Sequence, residues 1–214
     1  MKINKKLIIP AILTISIGLV AYFLPVFLYK DITFIDVSLP IDDKIPVISQ
    51  FVIAYFAAFI QCIFSLYILS KQNDELGYKY LTALLICYIF CGICFFLFPT
   101  CTNRPEIVPK NIFDKLLLFI YTVDKPINVC PSIHCIWATL CGIMLHEAKG
   151  INKSIPRLND IISLLIYLST LFTKQHLFID VVCGILTAII ALLIANKYSF
   201  KIFFDKANKI ANIN

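Results

Sequence analysis

Charge is scarce in this chain. Only 15% of its 214 residues are Asp, Glu, Lys or Arg, 60% are hydrophobic, and the mean hydropathy is +0.87. A soluble domain carries about a quarter charged residues, so that class is excluded and an integral membrane protein is expected. Acidic residues are the rarer kind, 13 against 19 basic, for a net charge of +6. That excess needs no nucleic-acid partner, because it follows the inner-face bias of membrane proteins, with membrane lipids as the neighbours. Histidine is rarer still, at three residues. The outer segments hold no His/Cys/Asp cluster at ligand spacing, so neither a metal nor another cofactor is expected. No internal repeat is visible.

Long uncharged runs are abundant. Leu7 to Tyr29 is uncharged for 23 residues. At about 1.5 Å per residue it crosses a hydrocarbon core of roughly 30 Å. It is too long for a secretory signal and ends in no clean cleavage site, so a retained span is expected. Further runs cover Ile45–Ser70, Tyr80–Asn103, Pro126–Leu145, the short Ile161–Thr173 and His176–Asn196. The expected fold is all-α: one domain over 1–214, a bundle of six transmembrane helices with both termini on one side. With cytoplasmic termini, the inner segments hold twelve of the 19 Lys and Arg and the outer ones seven. That orientation satisfies the positive-inside rule.

The longest outer connection, residues 104–130, contains Ile112, Phe113, Leu116, Leu117 and Ile120 at helical spacing, with Asp114 and Lys115 on the opposite arc. A short interfacial helix is expected there, or a loop helix packed on the bundle. The nine cysteines lie mostly in apolar runs, where cysteine acts as a small hydrophobe. Cys91 and Cys94 form a C-x-x-C without the βαβ setting of a redox motif. Cys101 and Cys130 flank the long loop and are either disulfide-bonded or two thiols.

Two histidines stand at the ends of apolar runs. His134 belongs to Pro131-Ser132-Ile133-His134, and His176 precedes Asp180 by four residues. Ionisable groups at a membrane boundary are costly to place and are functional candidates. On a helix, Asp180 would face His176, orient its ring and raise its basicity. Ser132 can cap a helix beginning near Ile133, whose free N–H groups favour an anion. Arg104 suits a bidentate grip on phosphate oxygens. The expected site thus faces outward, on helix ends near head-group depth, and its chemistry is phosphoryl transfer.

These motifs resemble the type-2 phosphatidic acid phosphatase superfamily, whose pattern is K-x6-R-P, P-S-G-H and S-R-x5-H-x3-D. The matching positions are Arg104-Pro105, Pro131 to His134, and Ser169-Thr170 followed by His176 and Asp180, within a phosphatase-like core of about residues 98–184. Leu97 stands where the family has Lys, Thr170 where it has Arg, and Ile133 where it has Gly. Such departures are similar to those of inositol phosphorylceramide synthase-like proteins. Lys174 is the candidate replacement charge. The resemblance implies that His176 attacks phosphorus, Asp180 orients it, and His134 serves as acid and then base. Arg104, Ser132 and Lys174 would bind the phosphate. It implies a metal-independent, cell-membrane phosphatase acting on a lipid phosphomonoester or polyprenyl diphosphate within the bilayer. A phosphotransferase to an alcohol acceptor, and a non-catalytic lipid-binding protein, are the alternatives.

Overall fold

The computed structural model describes residues 5–29 and 32–211; Lys2, Lys30 and Asp31 lie outside them. Eight α-helices follow one another in the described residues: α1 Ile8–Leu28, α2 Val52–Gln72, α3 Asp74–Leu97, α4 Ile112–Val123, α5 Ile133–Glu147, α6 Ser154–Phe172, α7 Phe178–Lys197 and α8 Lys201–Ile210. The only strands among the described residues are two-residue segments, β1 Ile35–Asp36 and β2 Thr100–Cys101, paired in parallel. They tie the α1–α2 connection to the α3–α4 connection.

Among the described residues, five helical segments are long and apolar enough to cross a membrane: Lys5–Leu28, Ser49–Gln72, Asp74–Leu97, Ser154–Phe172 and Phe178–Lys197. Their outward faces carry large exposed apolar side chains, such as Leu19, Ile60, Ile93, Leu164 and Leu193. Such a continuous apolar surface suits lipid, and the chain is an integral membrane protein. The expected span over Pro126–Leu145 is realised differently. Its helix, α5, begins only at Ile133, because the segment before it runs as a non-helical connection through Pro131. At 15 residues α5 is about 22 Å long, short of a bilayer core of roughly 30 Å.

Helix direction alternates along the bundle. Asn208 donates to the Lys6 carbonyl at 2.8 Å, Lys79 pairs with Glu147 at 2.6 Å, and the Lys149 N–H reaches Gln72 at 3.0 Å. The start of α1, the α2–α3 turn, the α5–α6 loop and α8 therefore share one end. The starts of α2, α5 and α7 lie at the other.

The interior is apolar around α3 and α5, with Leu81, Leu84, Cys87, Cys91, Ile136, Leu140 and Met144 buried together. All nine cysteines are free thiols, Cys101 and Cys130 included. One polar knot crosses this interior. The Gln61 amide donates to Asn159 Oδ1 at 3.0 Å and Ser163 Oγ at 2.8 Å, and Ser163 donates to the Ala138 carbonyl at 2.9 Å. It links α2, α6 and α5 as interhelical hydrogen bonds do in lipid.

The helix of the long loop runs to Val123, with a reciprocal cap between Asn111 and Asp114. Leu117 and Ile120 are buried, and Ile120 packs with Val52 and Tyr55, so α4 is seated on the start of α2. Ile112, Phe119 and Val123 face outward.

The start of α5 approaches α7 closely. A Cβ placed on Gly184 would lie 2.6 Å from the Ser132 carbonyl oxygen and 3.0 Å from Cys135 Cβ. Gly142 is different, since its nearest neighbour would be Ser163 Oγ at 3.5 Å. We predict that Gly184→Ala destabilises the bundle by about 1–3 kcal/mol through overpacking, read as a lower thermal midpoint in detergent. Gly142→Ala should be neutral or stabilise by up to about 1 kcal/mol from helix propensity. Equal responses would contradict the close approach.

Candidate active site

The site grows from the turn between α6 and α7. Lys174 adopts φ 52°, the left-handed region, at a cost of about 1–2 kcal/mol for a residue with a Cβ. The turn folds back on α6. The N–H groups of Gln175 and His176 both donate to the Thr170 carbonyl, at 3.0 and 3.1 Å. Asp42, buried in the α1–α2 connection, holds the turn from a second segment. Its carbonyl accepts from Lys174 Nζ at 2.6 Å, and its Oδ1 accepts the Phe178 N–H at 2.8 Å. Its Oδ2 takes the Leu39 N–H at 2.8 Å, which anchors the clamp to its own loop. Asp42 was not singled out by the sequence, where it is one of four acids in a polar loop.

His176 is thereby set against the segment leading into α5. Its Nδ1 lies 2.9 Å from the Val129 carbonyl oxygen and 3.5 Å from Asp180 Oδ2. A carbonyl only accepts, so Nδ1 carries the proton and Nε2 keeps its lone pair. The expected orienting role of Asp180 is thus shared, with Val129 making the closer contact. Asp180 is fully buried, and its Oδ2 also accepts the Leu177 N–H at 2.8 Å, capping the first turn of α7.

Ser132 is the N-cap of α5, as its sequence position suggests, with Oγ accepting the Cys135 N–H at 3.4 Å. Its own N–H donates to the Asp180 carbonyl at 3.1 Å. This contact between the two helix starts places the rings of His134 and His176 with centroids 5.8 Å apart. His134 lies in an aromatic box. Tyr55 lies against it at 4.1 Å with the rings tilted by 33°, Trp137 is edge-on at 5.4 Å and Phe59 at 5.6 Å. Among the described residues, neither ring nitrogen of His134 has a hydrogen-bond partner.

Arg104 reaches the same neighbourhood from the long loop. Its Nη1 donates to the Asp124 carbonyl at 2.5 Å, its Nη2 donates to Gln175 Oε1 at 2.7 Å, and the guanidinium lies 4.6 Å from the Tyr121 ring centre. Burial lowers its pKa, while the Asp124 and Tyr121 charges oppose that shift. Asp124 is a hub. Its carboxylate accepts from Tyr22 and, at 3.0 Å, from the hydroxyl of Tyr55, the residue packed against His134. Thus Arg104, Ser132, His134, His176 and Asp180 are joined through direct contacts or one intervening residue. Lys174 points its ammonium away, to the Asp42 carbonyl. Gln175 and Tyr55 went unnoticed, since a lone Gln and a Tyr in an apolar run carry no pattern. The remaining histidine, His146, pairs with Asp160 at 2.9 Å at the far end of α5.

Asp42→Ala removes the side-chain acceptors of the part-buried Leu39 and Phe178 N–H groups, and each lost hydrogen bond costs about 1 kcal/mol. Hydrogen exchange should quicken at the Leu39 and Phe178 amides and stay unchanged at Leu69, inside α2. Unchanged exchange at Phe178 would show that the clamp does not hold the turn.

No curated protein and no solved structure matches the chain. A family model described as the PAP2 superfamily matches residues 33–194, which contain every residue of the cluster. With the paired histidines, the aspartate and the apolar helices in place, the chain belongs to the PAP2 superfamily, and a membrane phosphatase-type enzyme is the activity class this supports.

Proposed function

We propose that the protein is a membrane-embedded phosphatase that hydrolyses a lipid phosphomonoester or polyprenyl diphosphate through a phosphohistidine. The observation that carries this reading is the pair of imidazoles at 5.8 Å, one of them with its Nε2 lone pair free. In this reading α5 and the segment before it complete a sixth crossing. The termini are cytoplasmic, and the site opens to the extracytoplasmic side of the cell membrane.

The chemistry follows from the contacts. His176 Nε2 attacks phosphorus, the bond to the leaving oxygen breaks, and the phosphoryl group passes to His176. His134 gives its proton to the leaving oxygen. It then takes a proton from water as that water attacks the phosphohistidine, releasing inorganic phosphate and restoring His176. The Val129 carbonyl and Asp180 stabilise the positive charge that develops on the His176 ring. Arg104 and the Ser132 hydroxyl hold the non-reacting oxygens where negative charge builds. Lys174, bonded to the Asp42 carbonyl, adds positive potential rather than a direct contact. No step requires a metal ion.

Transfer to a lipid or sugar alcohol is the second reading. His134 and His176 are each only 9% exposed, and an enclosed site disfavours water as the acceptor.

Purified protein should release inorganic phosphate from short-chain phosphatidate in the presence of EDTA. His176→Ala should lower the rate by at least a hundredfold, as expected of a nucleophile. Asp180→Asn should lower it about tenfold to a hundredfold while the bundle stays folded, because Asn still accepts the Leu177 N–H. Near-normal turnover by His176→Ala would exclude the nucleophile. Product formed only when an alcohol is added would establish the transferase reading.

A further inference from the structure

The cluster holds a donor that the reaction as described does not use. Gln175 is 2% exposed, immediately precedes His176, and accepts from Arg104 Nη2 at 2.7 Å through Oε1. Among the described residues its Nε2 has no hydrogen-bond partner, nor has Arg104 Nε. The amide cannot be turned round to relieve this. A flip would set an NH2 group against the guanidinium, donor to donor. Buried donors without acceptors are costly and uncommon. Two of them, on side chains bonded to each other beside the nucleophile, describe a place shaped for an anion.

The rest of the site is short of such donors. Leu97, at the position of the first motif cation, is 59% exposed on the outside of α3. Thr170, at the position of the third motif arginine, spends its hydroxyl on the Tyr167 carbonyl at 2.8 Å. Lys174 is held by Asp42. Arg104 alone remains as a cation joined to the cluster, and Gln175 fixes the direction of its fork.

We propose that Gln175 is a substrate-phosphate ligand: its Nε2 donates to a non-reacting phosphoryl oxygen while its Oε1 holds Arg104 on the same group. This rests on the phosphoryl-transfer reading. It adds a neutral donor to a site whose two motif cation positions hold Leu97 and Thr170, and it suits a phosphoryl group whose oxygens are gripped by one cation only. The backbone of Gln175 is fixed to Thr170, so the amide is set in place before substrate arrives.

The test is anion binding by the full-length protein in detergent. Orthovanadate and inorganic phosphate are titrated against the thermal midpoint, with kcat and KM for short-chain phosphatidate measured alongside. Gln175→Leu should weaken vanadate binding about tenfold, the scale of one hydrogen bond to a charged group. Gln175→Glu keeps an acceptor for Arg104, so the fold and the Arg104 contact survive, yet it should weaken vanadate binding at least as much. A residue that served only to anchor Arg104 would give a different result, with Gln175→Glu binding vanadate within about twofold of wild type. That outcome overturns the proposal and leaves the phosphatase reading intact. Gln175-dependent anion binding in a protein that turns over no lipid phosphate would uphold it and refute the proposed reaction. Failure of the wild-type protein to bind either anion would overturn it.

Discussion

The first turns of α5 and α7 are locked together by a hydrogen bond from the Ser132 N–H to the Asp180 carbonyl at 3.1 Å, across an interface with no room for a side chain at Gly184. These helix starts lie some 45 residues apart in the chain, and the contact of His176 with the Val129 carbonyl is the other link between them. Their contact sets the distance between His134 and His176. It brings Val129 to the Nδ1 atom of His176, and it fixes which nitrogen remains free. It also buries Asp180, whose Oδ2 both caps the first turn of α7 and lies 3.5 Å from His176 Nδ1. A residue doing both cannot drift, because moving it exposes the unmatched Leu177 N–H. Helix capping and ring orientation are one interaction here.

The cluster is braced from three sides. The Asp42 loop clamps the turn that carries His176. The long loop delivers Arg104 and Asp124, and Asp124 ties Tyr55 of α2 against His134. The β1–β2 pair links these two connections, so the braces are themselves connected. In a bilayer, irregular backbone is tolerated where protein surrounds it, and residues 100–102 and 126–132 are buried or half-buried in this way. Polar groups of the long connection are spent on the site. Thr100 Oγ1 accepts the Cys130 N–H at 3.1 Å, and the Asp124 carbonyl takes Arg104.

Much of this was legible in the sequence, and the reasons differ by residue. The apolar runs announce helices because a membrane span has to satisfy its backbone internally, and α1, α2, α3, α6 and α7 follow. His134, His176 and Asp180 stand out because ionisable groups are rare in such runs. Ser132 reads as a cap from its position alone. What was not legible depends on tertiary approach. Gly184 looks like any small residue in an apolar helix until the Ser132 carbonyl is found beside it. Lys174 is the candidate replacement cation, and only the fold shows its ammonium donating to the Asp42 carbonyl. Gln175 and Asp124 carry no periodic signal, and only their partners reveal them.

The central claim is that His176 bears the phosphoryl group during turnover, with His134 moving the proton. Rapid quenching at alkaline pH during turnover of a phosphate-labelled substrate, followed by peptide mass spectrometry, tests it directly. The account predicts an acid-labile phosphoryl group on His176 that accumulates when His134 is replaced by Asn. Label on His134, or turnover with no phosphohistidine in either protein, would contradict it.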